Sequence, residues 1–314
     1  MTASADGRIK IIIDTDIADD IDDAMALAFA LGSPEFDILG VTVVYGDVTT
    51  RAKVTRKLLD AWGRSDVPVR VGYERPMGYD WQPTAVPQEC SQRDAVADDP
   101  PLVDPSRTAP AFIADCVRRH PHQVHLLTLG AVTNVAAALC AEPDLASLIP
   151  EIRSAALGRH PCPPEGWGPG WNVRYDPIAA QCIARSDVPW TTTCGCGDNS
   201  VTQKQFQALK TSGRPADELL LDLVVLMNRH KFGFNPAIRS IEDVRAASVG
   251  DVAVLASFLI PQQFAFVGGR VEVAPDGQSR FTPDPQGPHR VPSATPLPGT
   301  YRDEILHRLM GKRL

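Results

Sequence analysis

Residues 14–31 read DTDIADDIDDAMALAFAL, and this stretch decides the predicted fold. It follows the apolar, β-branched run RIKIII at 8–13, which is typical of a buried strand. Six aspartates then fall within ten positions, and the sequence turns apolar with helical spacing. The stretch therefore predicts a buried strand, an acidic turn, and a helix with Asp22 and Asp23 in its first turn.

Strand-like and helix-like segments continue to alternate after this helix. They are FDILGVTVVYG at 36–46, TRAKVTRKLLDAWG at 50–63, VPVRVG at 67–72, TAPAFIADCVRRH at 108–120, VHLLTLG at 124–130 and TNVAAALCAEP at 133–143. The alternation predicts an α/β fold with a Rossmann-like, mostly parallel central sheet flanked by helices. We expect residues 1–314 to form a single domain. Residues 74–107 and 274–299 are rich in proline and polar residues, which predicts two long loops.

Composition and charge exclude several classes of partner. The 314 residues carry a net charge of −7 without a run of lysine or arginine, which argues against nucleic acid. The sequence has neither a bilayer-spanning apolar run nor a signal-like N-terminus, so we expect no membrane partner and a cytoplasmic location. The seven cysteines are scattered and odd in number, which disfavours a disulfide framework.

The acidic turn falls where open α/β sheets bind ligands, beyond the carboxyl end of a strand. Carboxylates this close repel one another and raise one another's pKa. A divalent cation would relieve the repulsion, and carboxylate oxygens favour calcium or magnesium over zinc. The competing interpretation is a solvated helix cap, where aspartate is common. Six aspartates after a buried strand favour metal or substrate binding, although the spacing is not that of an EF-hand.

The acidic turn resembles the N-terminal signature of the nucleoside hydrolase family, of the inosine–uridine-preferring type. That signature is a strand, Asp-x-Asp, a short turn, an Asp-Asp pair and a helix that begins with small apolar residues. Further segments resemble the family in the same order, and they span nearly the whole chain: residues 40–72, LLTLGAVTNVAAAL at 126–139, WNVRYDPIAAQCI at 171–183, VGDVAVLASF at 249–258 and YRDEILHRLM at 301–310.

The resemblance implies a nucleoside hydrolase fold and a metal-dependent hydrolase of the N-glycosidic bond of ribonucleosides. The products would be free base and ribose, and the cofactor would be Ca²⁺. Asp16, the second aspartate of Asp-x-Asp, would ligate calcium and activate the calcium-bound water by taking its proton. Asp14 would support the site through hydrogen bonds. The further metal ligands would be Asp23, Asp251 and the backbone carbonyl of Thr133.

The register of the Asp-Asp pair leaves two interpretations open. The family spacing from Asp16 points to positions 20 and 21, but position 21 is isoleucine. The apolar pattern of the helix favours Asp22, which would bind a ribose hydroxyl, followed by the metal ligand Asp23. Asp20 would then be an added carboxylate among the substrate-binding residues.

Two further residues match family positions that contact the sugar. Asn172 would bind the ribose hydroxyls. Asp47 replaces an asparagine of the family, and this exchange removes a hydrogen-bond donor and adds charge. Taken singly, Thr133 is equally well interpreted as a helix cap, and an aspartate placed like Asp251 is more often a cap than a ligand.

Two residues depart from the family pattern. Gly170 replaces a glutamate that contacts the sugar, and Gly250 replaces a histidine that often protonates the leaving base. His230, in LVVLMNRHKFGFN, is the preferred candidate for that acid, ahead of His160. A lone histidine is more often structural, which is the competing interpretation for both.

Two other functions stay open. One is a related ribosyl-processing enzyme that acts on a modified nucleoside. The other is a non-catalytic nucleoside- or sugar-binding protein that kept the metal site. The glycines at 170 and 250 favour these alternatives, and the presence of Asp16 disfavours the binding protein. Family members are usually dimers or tetramers, so the resemblance implies a homodimer or homotetramer.

Overall fold

A nine-stranded sheet runs through the centre of the computed structural model. The structure describes residues 7–78, 90–100, 102, 108–157, 170–193, 200–293 and 302–309. The strands are β1 (Ile9–Thr15), β2 (Phe36–Val43), β3 (Val69–Val71), β4 (Val124–Thr128), β5 (Ile152–Ser154), β6 (Trp190–Thr192), β7 (Ser200–Thr202), β8 (Ala246–Ser248), β9 (Phe266–Val273), β10 (Ser279–Pro283) and β11 (His289–Pro292).

Helices alternate with these strands through most of the chain. They are α1 (Asp22–Leu31), α2 (Val48–Ala61), α3 (Ala109–Arg119), α4 (Thr133–Ala141), α5 (Trp171–Tyr175), α6 (Pro177–Arg185), α7 (Gln203–Ser212), α8 (Pro215–His230), α9 (Val252–Leu259) and α10 (Arg302–Leu309). Among the described residues, each helix is too short or too polar to span a lipid bilayer.

The sheet is parallel except at one edge. Its strand order is β10-β9-β11-β6-β5-β4-β1-β2-β3, and only β9 runs antiparallel to its two neighbours. The strands β7 and β8 form a separate antiparallel pair. These findings confirm the predicted α/β fold with a mostly parallel sheet and flanking helices. That residues 1–314 form a single domain stays a prediction.

Strand β1 lies in the interior of the sheet, hydrogen-bonded to β2 on one side and to β4 on the other. Ile11, Ile12 and Ile13 are at most 1% exposed because helices cover both faces of the sheet. A parallel strand buried on both faces has a continuous apolar sequence, and the three isoleucines of β1 show this pattern. The acidic turn consequently begins at the carboxyl edge of the sheet.

The structure corrects the prediction of a long loop over 274–299. β10 and β11 lie within that range and extend the sheet through antiparallel pairing with β9. The prolines misled the prediction, because Pro283 and Pro292 lie at strand ends, where proline costs little. Residues 74–107 are partly described and contain a short 3₁₀ helix at Arg93–Val96.

A prediction for the antiparallel edge follows from the packing of Gly269. A β carbon there would lie 2.2 Å from Cζ of Phe281 and 2.5 Å from the carbonyl oxygen of Thr282. We expect Gly269→Ala to lower the free energy of unfolding by about 1–3 kcal/mol, because the strand is already close-packed. Urea unfolding measures the loss.

Gly268→Ala is the matched control for this prediction. Its β carbon would lie 3.3 Å from the nearest atom, the carbonyl oxygen of Asp284, so the backbone at Asp284 has to move only slightly. We expect a much smaller loss of stability than for Gly269→Ala. Equal losses in the two variants would contradict the described packing of β9 against β10.

Candidate active site

Three carboxylates meet beyond the carboxyl end of β1. One oxygen each from Asp22, Asp23 and Asp251 lies within 4.8 Å of the others. Asp22 and Asp23 stand in the first turn of α1, as the sequence predicts, and Asp251 directly precedes α9. Three clustered carboxylates offer the oxygen ligands that hard divalent cations prefer. The cluster could therefore hold a metal ion.

Asp251 occupies the N-cap position of α9, yet its side chain makes no capping hydrogen bond. The cap interpretation, which the sequence left open, therefore does not account for this carboxylate. Its pKa is raised well above 3.8 by burial first, and then by the charges of Asp22, Asp23 and Asp16. The Asp251 carboxylate thus lies beside other carboxylates and makes no capping bond to the backbone, as a ligand of a cation would.

The other two carboxylates of the cluster, and Asp16, whose charge acts on them, also have raised pKa values. Burial, followed by the charges of Asp16 and Asp22, raises the pKa of Asp23 well above 3.8. Burial is also the main cause that raises the pKa of Asp22 to about 7 and that of Asp16 to about 6. These groups are costly to ionise together, and a divalent cation among them would remove that cost.

Asp16 packs closely against Gly130, which lies in the loop after the neighbouring strand β4. A β carbon on Gly130, which follows β4, would lie 2.9 Å from both the backbone nitrogen and Oδ1 of Asp16. Any larger residue there would have to displace this carboxylate or its backbone. The glycine of the LLTLGAVTN segment is therefore a packing requirement of the site.

A buried arginine holds the acidic turn from the side of α2. The Arg51 guanidinium donates hydrogen bonds to the carbonyl oxygens of Tyr45 at 2.6 Å, Ile17 at 2.8 Å and Asp16. It also forms a 2.8 Å ion pair with Asp19. Arg51 thus brings a positive charge to the turn while its bond to Asp16 uses only the backbone carbonyl. Sequence reasoning missed this residue.

Residues 90–92 hold the same turn from another side. Ser91 Oγ donates to the carbonyl oxygen of Asp19 at 2.6 Å, and the Gln92 backbone N–H donates to that of Ala18 at 3.1 Å. Gln92 Nε2 donates to the carbonyl oxygen of Asp20 at 2.8 Å. Ala18 has a φ of +95°, a conformation that non-glycine residues adopt only where their surroundings enforce it. The contacts from Arg51 on one side and from residues 90–92 on the other enforce this conformation of the turn.

Asp14 lies near the end of β1 and is buried. Its Oδ1 accepts hydrogen bonds from Thr42 Oγ1 at 2.5 Å and from Asn134 Nδ2 at 2.7 Å. Its Oδ2 has no hydrogen-bond partner among the described residues. Burial is the main cause that raises the pKa of Asp14 to about 7. The predicted supporting role through hydrogen bonds agrees with these contacts.

Thr133 and Asn172 reach the same edge of the sheet from α4 and α5. Thr133 Oγ1 donates to Asp176 Oδ2 at 2.7 Å. Asn172 Nδ2 donates to the carbonyl oxygens of Leu129 at 2.5 Å and Ala155 at 2.9 Å. Both side chains are buried. The Asn172 bonds tie the loops after β4 and β5 to α5, and the Thr133 bond ties α4 to Asp176.

Asp176, to which sequence reasoning assigns a helix start and no chemistry, holds three neighbouring segments together. Besides Thr133, its carboxylate accepts hydrogen bonds from the backbone N–H groups of Met77 at 2.9 Å and Ala179 at 3.0 Å. It caps α6, which starts with Pro177. The Asp-Pro pair was the available signal, because proline favours the first position of a capped helix.

Two predicted substrate-binding carboxylates already have partners. Asp47 caps α2 by accepting hydrogen bonds from the backbone N–H of Thr50 at 3.0 Å and from its hydroxyl at 2.7 Å. Asp20 forms an ion pair with Lys231, just beyond the end of α8. A substrate that contacts either carboxylate would share it with these partners.

His230 is the last residue of α8, next to Lys231. Its Nε2 lies 3.4 Å from Asp94 Oδ2, and its ring centroid lies 5.6 Å from that of Phe234. The Lys231–Asp20 ion pair therefore brings the end of α8, including His230, to the acidic turn. His160, the weaker candidate, lies outside the described residues.

Comparisons with known proteins identify relatives across most of the chain. The family model for inosine-uridine preferring nucleoside hydrolase matches residues 11–284. Probable uridine nucleosidase 2 of Arabidopsis thaliana is 27% identical over 292 residues, which cover 87% of this chain and 84% of that protein. Non-specific ribonucleoside hydrolase RihC of Escherichia coli is 33% identical over 198 residues, which cover 58% of this chain and 59% of that protein.

Solved structures share the fold. A plant nucleoside hydrolase, the PpNRh1 enzyme, superposes with a TM-score of 0.75 at 23% identity, covering 96% of this chain and 99% of its own. An inosine-guanosine nucleoside hydrolase superposes with a TM-score of 0.74 at 21% identity, covering 96% of this chain and 98% of its own. The predicted nucleoside hydrolase fold is thereby confirmed.

The buried carboxyl of Asp14 leads to a prediction about pH. Its pKa in the folded protein is raised from 3.8 to about 7, so the folded state binds its proton more tightly than the unfolded state. Without metal, the free energy of unfolding should fall as the pH rises from 3.8 to about 7. Asp14→Asn retains an oxygen for Thr42 and Asn134 and removes the charge. We expect it to raise the unfolding free energy above the raised pKa, by at most about 4 kcal/mol.

Thermal melts in chelator, below and above this pH interval, measure the effect. Asp115→Asn, at an exposed position of α3, is the matched control and should leave the pH dependence of the melting temperature unchanged. If Asp14→Asn melts with the same pH dependence as the wild type, the buried charge is not a source of instability.

Proposed function

The chain belongs to the inosine-uridine preferring nucleoside hydrolase family, and we propose that it hydrolyses ribonucleosides at a calcium site built on its acidic turn. Membership makes it an N-glycosyl hydrolase that acts on ribonucleosides. The observation that carries the calcium proposal is the meeting of Asp22, Asp23 and Asp251 within 4.8 Å. The buried Oδ2 of Asp14, in the strand that leads into the acidic turn, has no hydrogen-bond partner among the described residues, which also fits a site that receives an ion or a polar ligand.

Asp16, Asp23, Asp251 and the backbone carbonyl of Thr133 would hold the ion. All of these ligand atoms are oxygens, which favours a hard cation. Calcium accepts six to eight oxygens, so protein groups and the two hydroxyls of a ribose can share one ion. When bound, the cation would lower the pKa of water and orient the sugar. The position of Asp22 beside Asp23 would place it next to the ribose hydroxyls.

Asp16 is the proposed general base. Hydrolysis of an N-glycosidic bond passes through an oxocarbenium-like transition state that water attacks, so a base must take the proton of this water. The hydrogen bond from Arg51 to its carbonyl oxygen holds the backbone of Asp16, and the close approach of Gly130 leaves its carboxylate little room to move. A carboxylate fixed in this way keeps its position during the reaction, as a general base requires.

Asn172 is proposed to bind the ribose. Its two hydrogen bonds to Leu129 and Ala155 use both hydrogens of the amide nitrogen, which leaves the amide oxygen to accept from a ribose hydroxyl. Asp20 and Asp47 remain predicted substrate-binding residues that would share their carboxylates with Lys231 and Thr50.

His230 is proposed to protonate the departing base. It stands on α8, whose end is joined to the acidic turn by the Lys231–Asp20 ion pair, while the position of the family's usual histidine is Gly250. Asp94 Oδ2 lies 3.4 Å from His230 Nε2 and would orient the imidazole ring. We also propose that the protein is a homodimer or homotetramer, which rests on the family resemblance. A cytoplasmic location is proposed from the composition.

The proposed base is tested with Asp16→Asn. Base release is measured from a panel of purine, pyrimidine and modified nucleosides, with calcium and with chelator. We expect kcat to fall by roughly 10²–10⁴-fold, because the substituted amide cannot accept the proton of water. Asp19→Asn, which alters a neighbouring carboxylate paired with Arg51, should lower kcat far less.

Release that needs calcium and that Asp16→Asn abolishes would support both parts of the proposal. Release that survives chelation would contradict the calcium site, and a normal rate in Asp16→Asn would contradict the assigned base. No release from any nucleoside by the wild-type protein, with nucleoside still bound, would count against hydrolysis of free ribonucleosides.

The proposed acid is tested with His230→Gln on two kinds of substrate. A natural nucleoside needs protonation of its base, whereas a p-nitrophenyl riboside releases a stable anion without it. We expect roughly a 10²-fold or greater fall in kcat for the nucleoside and little change for the p-nitrophenyl riboside. Equal losses on both substrates would show that His230 acts structurally.

A further inference from the structure

Two cysteine side chains meet where helices α4 and α6 pack together. Sγ of Cys140 lies 3.8 Å from Sγ of Cys182, although the residues are 42 positions apart in the chain. Cys140 is exposed and Cys182 is half-buried. Neither residue belongs to the carboxylate cluster or to the proposed ribose-binding set, so the reaction does not explain their contact.

The accessibility of this pair distinguishes it from the other cysteines that the structure describes. Cys90 and Cys116 are buried, and burial raises the pKa of both thiols, which makes them poor nucleophiles. Cys140 alone of these four is exposed to a reagent in solution. A second thiol within 3.8 Å gives a mixed disulfide formed at Cys140 an immediate intramolecular partner.

We propose that Cys140 and Cys182 form a redox-active thiol pair, which low-molecular-weight disulfides such as oxidised glutathione convert into an intramolecular disulfide. The Cys140 thiolate attacks the small disulfide, forms a mixed disulfide and expels one small thiolate. The sulfur of Cys182 then attacks Cys140 Sγ and expels the second. Two protein thiols are oxidised, one small disulfide is reduced to two thiols, and these carry away the two protons.

The order of the two attacks follows from the surroundings of each sulfur. Cys140 is exposed and meets the reagent first. Burial, together with the neighbouring Cys140, raises the pKa of Cys182 to about 11, so this thiol stays protonated at neutral pH. Cys182 therefore acts second, at short range, where proximity compensates for its low thiolate fraction.

The disulfide would join two helices that are already tied together near the acidic turn. α4 begins at Thr133, whose hydroxyl donates to Asp176 at 2.7 Å, and Asp176 caps α6. Cys140 lies near the opposite end of α4, and Cys182 lies within α6. Oxidation would thus add a second, covalent tie to a helix pair that supports the site, and a dithiol would remove it.

The test uses the full chain, oxidised glutathione and mass spectrometry without reductant. We expect the wild-type protein to lose the mass of two hydrogens. Trypsin should then release one cross-linked pair, residues 120–153 joined to residues 175–185, each with a single cysteine. Dithiothreitol should restore both free peptides. This assignment also separates the pair from Cys162, Cys194 and Cys196, which fall on other tryptic peptides.

Two serine variants test the order of attack. Cys182→Ser should stop at one glutathione on Cys140, because the second thiol is missing. Cys140→Ser should leave Cys182 unmodified over the same time. A stable glutathione adduct on wild-type Cys140, an unmodified pair, or a cross-link to another cysteine would each overturn the proposal. Matching melting temperatures of the reduced variants and the wild type exclude misfolding as the cause.

Discussion

Repulsion among buried carboxylates is the constraint on which this edge of the sheet depends. Asp16, Asp22, Asp23 and Asp251 gather where burial and mutual charge raise the pKa of each. Arg51 enters the acidic turn and pairs with Asp19, but its bond to Asp16 uses the backbone carbonyl oxygen, so the turn is fixed while the Asp16 carboxylate stays available. The fold thus holds in place an arrangement that a cation would stabilise, which explains why so many contacts converge on one short turn.

The elements of this edge could be predicted because their signals are local. The apolar run of β1 and the first turn of α1 are each visible within a few residues, and the structure places Asp22 and Asp23 as predicted. The contacts that hold the turn were not predictable in this way. Arg51 lies on a helix that resembles any amphipathic surface helix, and its partners lie over thirty positions earlier in the chain.

Some sequence patterns in this chain are compatible with two different structures. The prolines at 283 and 292 favour a loop, yet proline is also tolerated at strand ends, and pairing with β9 decides between the two structures. Asp47 and Asp251 both precede helices, and sequence alone assigns either a cap. The structure separates them, since Asp47 caps α2 through Thr50 whereas Asp251 makes no capping bond and turns to other carboxylates.

The departures from the family pattern divide the site into two halves. The groups proposed to bind the ion and the ribose are present at the carboxyl edge of the sheet, from Asp16 to Asn172. The glycines at 170 and 250 remove side chains that the family directs to the substrate, and the Lys231–Asp20 ion pair adds charge at the end of α8. We therefore expect α8 and the segment after it to govern substrate preference, and the proposed ligands and base of the acidic turn to govern cleavage of the glycosidic bond.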